Sequence, residues 1–252
     1  FAQRFRSLPD ASRLLLLLAA AEPAGDPAWL WSAAARLGLG VADASAPEAA
    51  GLVDLDTRIT FRHPLVRSAV YRLETAARRH QVHAALADVI TGDDAADHRA
   101  WHRAHATSTP TEELAADLVA SADRARRRGG IAAAAAFLDH AVDLTPDPSI
   151  RAWRAADAAT AKLDAGDVQS AARLLETADL AADTHLHARV ALLRARLAFA
   201  GDRGREGPRL LVAAARAMTD HEPLVARETY LEALMAAMIV GRLADDAAHE
   251  PD

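Results

Sequence analysis

The sequence contains no cysteine, so neither a disulfide framework nor a thiolate metal site can organise it. Lysine occurs once, at Lys162, and arginine supplies the rest of the positive charge. Aromatic residues make up only 4% of the 252 positions although 51% are hydrophobic, so the apolar mass is mostly alanine, leucine and valine. Small and straight-chain residues with few aromatics favour close-packed helices over sheets. No apolar run approaches the roughly 18–20 residues needed to cross a bilayer. The longest, Leu14 to Ala21, is short and lacks the flanks of a signal peptide. A formal charge of −6 argues against general affinity for nucleic acid. The lack of cysteine sets the reducing cytoplasm as the expected compartment.

Motifs that carry chemistry are missing too. There is no G-x-x-x-x-G-K-[ST] phosphate loop, no G-x-G-x-x-G, no G-x-S-x-G and no H-E-x-x-H. No catalytic residue is assigned, and the segment is not expected to be an enzyme. The chain begins at Phe1 rather than at a methionine and ends in a polar tail at Asp252, which suggests a piece of a longer protein.

What the sequence does carry is helix signals. Pro9-Asp10 opens a segment through Ala21, and Asp26-Pro27 is an N-cap with proline at the first helical position, ended by Gly38 and Gly40. Ser45-Ala-Pro-Glu48 has capping-box spacing. The one β-like region is 51–62, where two short apolar stretches flank an Asp/Thr turn and read as a hairpin. Three helices followed by a two-stranded wing describe a winged-helix domain over 1–73.

From Glu74 onward the chain reads as helix. Segments 75–91, 94–106 and 111–128 form linking helices over 74–128. Beyond them Gly130, Gly166, Gly201 and Gly241 recur at about 35–40 residues, the period of tetratricopeptide-type helical hairpins. Such a pair cannot bury its apolar stripe alone, so neighbours stack into a solenoid. The expected fold is therefore mainly α: a winged-helix domain with a small hairpin, then a tetratricopeptide-like α-solenoid over 129–252.

Two histidine groups stand out. His98, His102 and His105 fall at i, i+4 and i+7 on one helix face, with His80 and His83 on the preceding helix. Neutral imidazoles so spaced can hold zinc. Without a carboxylate in an H-E-x-x-H pattern, and with Trp101 among them, they read as structural, and no metal site is assigned. Arg124, Arg126, Arg127 and Arg128 close a helix, where cations complement its dipole.

The second group is a single residue. His63 precedes Pro64, which suits a first helical turn, so His63 is the expected N-cap. A helix N-terminus attracts anions, and Arg62 and Arg67 strengthen that pull, so a phosphate contact and a plain cap both fit. The helix from Pro64 reads as core-facing through Leu65, Val66, Ala69, Val70 and Leu73, which leaves little surface for DNA.

Phe61-Arg-His-Pro-Leu-Val-Arg-Ser-Ala-Val-Tyr71, the Arg78-Arg79-His80 block, Arg99-Ala-Trp-His-Arg-Ala104 and Leu144-Thr-Pro-Asp-Pro148 follow one another in a consistent order. Together they resemble the large ATP-binding LuxR-type regulators of actinobacteria, over about residues 1 to 176. The resemblance implies an upstream STAND-type ATPase module, a winged helix, a tetratricopeptide-like sensor and a downstream helix-turn-helix, of which this chain is the middle. It also implies that His63 stands where the histidine of the related M-H-D segment contacts the β-phosphate of ADP, with Arg62 and Arg67 beside it. Pro64 replaces the aspartate of that segment. On this reading ATP or ADP belongs to the full-length protein, and no cofactor belongs to this segment alone. The partners are the flanking modules and an inducer or protein on the repeats, with Trp153, Phe199 and Tyr230 as groove anchors. The alternative is a stand-alone helical-repeat adaptor.

Overall fold

The computed structural model describes residues 2–55, 58–200 and 206–247. Helices dominate, and the one sheet among the described residues is a pair of two-residue strands. The chain divides into two compact units between Pro110 and Thr111. The expected linking segment 74–128 is therefore shared between units: its first two helices pack in the first, its third in the second.

In the first unit, α1 (Ala2–Arg6), α2 (Asp10–Ala21) and α3 (Pro27–Arg36) are followed by a 3₁₀ turn (Val41–Ala44) and α4 (Ser45–Ala49). Strands β1 (Val53–Asp54) and β2 (Thr60–Phe61) pair antiparallel, Val53 opposite Phe61. Then come α5 (Pro64–Leu73), α6 (Ala76–Val89) and α7 (Ala96–His105). Leu15, Leu16, Leu17 and Leu18 are all fully buried, so α2 has no solvent face in this stretch. A helix apolar all round must be surrounded, and α2 packs against α3, α4, α5 and α6. Asp26 caps α3 as expected, accepting from the Ala28 N–H at 2.8 Å. The box expected at Ser45 does not form. Ser45 is already in helical conformation, Glu48 accepts instead from the Leu55 N–H at 3.3 Å, and the reciprocal cap lies earlier, at Gly40 and Asp43. The preceding 3₁₀ turn runs straight into α4, so no free first turn remains for Ser45 to close.

The second unit is a succession of helical hairpins: α8 (Glu112–Arg127) with α9 (Ile131–Asp143), α10 (Pro148–Asp164) with α11 (Val168–Ala178), and α12 (Thr184–Ala200) with α13 (Gly207–Met218), followed by α14 (Pro223–Ala247). Each helix packs on its sequence neighbours, and α10 also on α12, the layering of an α-solenoid. Threonine or aspartate at Thr111, Asp147 and Asp167 caps the successive helices. The glycines end the first helix of a pair by adopting positive φ: Gly166 at +78°, and Gly129, not Gly130, at +77°. Gly201 lies outside the described residues. Gly241, expected to open a fourth copy, lies inside α14, whose backbone continues helical past it.

Alanine makes the stacking close. Ala152, Ala155, Ala156, Ala158, Ala159 and Ala161 of α10 are buried, covering most of its circumference. Ion pairs then tie the first helix of each pair to the next. Arg154 of α10 meets Glu112 of α8 at 2.5 Å, Arg189 of α12 meets Asp157 of α10 at 2.7 Å, and Arg196 of α12 meets Glu232 of α14 at 2.9 Å. These pairs are partly exposed, each worth at most about 1 kcal/mol, so they set register more than they stabilise.

Candidate functional site

The junction between β2 and α5 is built as the sequence suggests locally. His63 is extended (φ −150°) and its Nδ1 accepts the Leu65 N–H at 3.1 Å, while Pro64 occupies the first helical position. The ring is exposed, and its Nε2 bonds nothing among the described residues. Arg62 is also exposed, with its backbone N–H on the Leu52 carbonyl. Arg67 is held differently. It is half-buried, and its Nε donates to the Ala20 carbonyl at the end of α2 at 2.9 Å. Burial pushes its pKa below the usual arginine value, with the charge of Glu22 opposing that shift.

The rest of α5 departs from the sequence expectation. Only Val70 is buried, whereas Leu65 is 68% and Leu73 39% exposed. The helix meets the core of its unit along one edge, through α1, α2 and β2, and its opposite face, including Leu65, Ser68 and Arg72, is open. The apolar pattern of α5 therefore does not mean burial, and more of its surface is open than the sequence suggested.

The five histidines of α6 and α7 do not converge on a metal position. Among the described residues no group of three or more His, Cys, Asp or Glu side chains could hold a metal ion. His98 packs its ring against Trp29 at 5.3 Å. His102 is fully buried with both nitrogens engaged: Nε2 with Glu22 Oε2 at 3.0 Å, and Nδ1 with Nδ1 of His83 at 2.8 Å. His83 Nε2 in turn meets the Tyr71 hydroxyl at 2.8 Å. His105 stacks on His83 and packs at a tilt against Trp101, and its Nδ1 donates to the Trp101 carbonyl.

Proton positions in this chain follow from the partners. The Glu22 carboxylate also accepts the Ala24 N–H at 2.6 Å, so His102 Nε2 is its second donor. A neutral His102 then accepts at Nδ1, His83 donates from Nδ1, and the Tyr71 hydroxyl donates to His83 Nε2. The result is a continuous, fully satisfied polar network through the interior of the unit, tying α2, α5, α6 and α7 together. The sequence pattern found His83 and His102 but not Glu22 or Tyr71. Glu22 lies 80 positions from His102, and no local spacing could have flagged it.

The three aromatic residues assigned to a groove on the repeats are not brought together. Trp153 donates its Nε1–H to Asp183 at 3.2 Å, contacts His185 edge-on and carries Arg189 over its ring at 5.9 Å. Phe199 packs with Leu192, Leu211 and Ala233 in a core cluster, close enough to Gly207 that a Cβ there would lie 2.8 Å from its ring. Tyr230, 42% exposed, borders a separate shallow hollow with Val212 and Leu234.

No protein-family model matches the sequence, and no curated protein matches it. Among solved structures the chain is similar to a Signal Transduction ATPase with Numerous Domains (STAND) protein with a tetratricopeptide repeat sensor from Pyrococcus horikoshii, at 13% identity and a TM-score of 0.37. The match covers 94% of this chain but 46% of that protein, so the chain spans about half its length.

Proposed function

We propose that the chain is the regulatory, sensor-bearing middle of a LuxR-type ATP-binding transcriptional regulator located in the cytoplasm. Residues 1–73 act as the winged-helix element that couples the nucleotide state of an upstream ATPase module to the helical repeats. The observation that carries this reading is His63. It caps α5 through Nδ1 and leaves Nε2 facing outward beside Arg62, on an α5 whose outer face is open and partly apolar. A docked nucleotide module would cover that face, and the imidazole would then meet a phosphate at a helix N-terminus, where anions are stabilised. Nucleotide binding belongs to that module, and this segment performs no catalytic step.

The repeats would receive an inducer or protein partner. Such a ligand shifts a closed–open equilibrium only by binding one state more tightly. Trp153 and Tyr230, both partly accessible, are the candidate anchors for it.

The test is to read the coding sequence outward from residues 1 and 252, then measure ADP affinity in the complete protein. The expected finding is an in-frame phosphate loop upstream and a helix-turn-helix downstream. His63→Ala should weaken ADP binding at least about tenfold, as loss of a charge-assisted bond does, and His63→Asn, which restores the cap, should not rescue it. Start and stop codons at the two ends would replace this reading with the stand-alone helical-repeat adaptor.

A further inference from the structure

Within the first unit a cavity of about 510 Å³ opens between the end of α2 and helices α5, α6 and α7. Its volume lies in the range of small-molecule sites. The walls are of two kinds. Tyr71, Trp101, His105 and His83 present ring surfaces, with the rings of Trp101 and His105 4.1 Å apart and those of His105 and His83 4.9 Å apart. The charged groups lining it are Arg67 and Arg72, and no aspartate or glutamate is among the lining residues.

The arginines are pre-positioned. Arg67 spends only Nε, on the Ala20 carbonyl, and Arg72 only Nε, on the Ser68 carbonyl, so the terminal nitrogens of both bond nothing within the described protein. Glu22, the carboxylate whose charge Arg67 feels, is turned away, its oxygens taken by Ala24 and His102. Arg79 lies over the Tyr71 ring at 5.5 Å but is bound to the Tyr71 and Glu74 carbonyls and does not line the cavity. A half-buried guanidinium with a planar fork of free donors matches a carboxylate, and stacked rings beside it match a flat apolar body.

We infer that this cavity is a binding site for a planar aromatic carboxylate, its carboxylate held by the terminal nitrogens of Arg67 and Arg72 and its ring lying against Trp101, His105 and Tyr71. All its lining residues belong to the first unit and none is His63 or Arg62; Ser68 and Arg72 also border the outer face of α5, and the assignment does not rest on the function proposed above. Its occupant would touch His83 and Tyr71 directly, and so the outer end of the buried network that runs to Glu22.

The experiment titrates the 252-residue chain with indole-3-acetate and benzoate, and with their neutral amides, by calorimetry and by NMR of the histidine rings. Each acid should bind with one-to-one stoichiometry and shift the His83 and His105 resonances. Each should also bind at least about tenfold more tightly than its amide, the discrimination expected of a charge-assisted bond. Arg67→Gln should lower acid affinity by about tenfold or more and leave the weak amide binding unchanged, while Arg67→Lys should fall between. The acid–amide comparison uses the unaltered protein and stands even if the Arg67 variants fold poorly. Failure of both acids to bind at millimolar concentration, acids binding no better than amides, or acid affinity unchanged in a folded Arg67→Gln would each overturn the assignment.

Discussion

Replacing His102 by leucine probes the buried network most directly. The imidazole is completely buried, and both of its nitrogens are in use. Leucine fills a similar volume but supplies no donor to Glu22 Oε2 and no acceptor to His83 Nδ1. Glu22, itself 1% exposed, then retains only the Ala24 N–H as a hydrogen-bond donor. Removing the donor from a buried carboxylate costs about 1.5–3 kcal/mol, and an orphaned buried donor about 1–3 kcal/mol. Because His83 can relax toward the Tyr71 hydroxyl, the lower figures apply, and we expect a loss of about 2–4 kcal/mol in all. That is a large share of the roughly 5–15 kcal/mol that holds a domain together.

The assay is urea unfolding followed by tryptophan fluorescence in a Trp153→Phe background, where the remaining tryptophans, Trp29, Trp31 and Trp101, all belong to the first unit. Adding Glu22→Gln should restore about 1–3 kcal/mol, because a neutral amide is far cheaper to leave half-paired than a carboxylate. The reasoning is refuted if His102→Leu costs under about 1 kcal/mol, or if the two substitutions add without coupling.

Three further outcomes follow from the geometry. Gly166→Ala forces a side chain to φ +78° in otherwise open space, so the strain of the left-handed conformation alone should destabilise the second unit by about 1–2 kcal/mol, measured by denaturant midpoint. Ala156→Leu adds three carbons at a fully buried α10 position and should cost about 1–3 kcal/mol through overpacking, visible as a lower Tm. The third concerns acid. Asp10, bonded by Arg78 and Arg13, and Glu112, bonded by Arg154, have carboxyls held below their ordinary values of 3.8 and 4.5, as does Asp183 under the Leu186 N–H. Groups with depressed folded pKa values contribute stability above the unfolded value and lose it as pH falls through the folded one. Stability should therefore hold down to about pH 4.5 and then decline, and Asp10→Asn with Glu112→Gln should make the decline shallower in a pH series of melting curves.

Local signals decided the elements of this protein, and they were legible. Proline at the first helical position, an aspartate cap, and a glycine free to take positive φ act within three or four residues, so Asp26-Pro27, His63-Pro64 and Gly166 marked their boundaries without help. The repeat was readable for the same reason, because each hairpin restates one pattern. It blurred where an extra glycine obscured which of Gly129 and Gly130 turns the chain, and where Gly241 was absorbed into α14, since one glycine costs a long packed helix only about 1 kcal/mol.

Tertiary structure alone decided what those helices face. The apolar pattern of α5 suggested burial, yet only one edge of it has a core to meet, and Leu65 is left in the open. Trp153, Phe199 and Tyr230 looked alike as aromatic anchors in an aromatic-poor chain, but three-dimensional packing put Phe199 in a core and left the other two in separate places. His83 and His102 carried no sign of a carboxylate or a phenol. Glu22 and Tyr71 reach them only because α2, α5, α6 and α7 enclose one interior, where a polar group must find a partner or not be buried at all. Sequence spacing fixes which residues share a helix face, but only the enclosure of that face by distant helices turns shared position into chemistry.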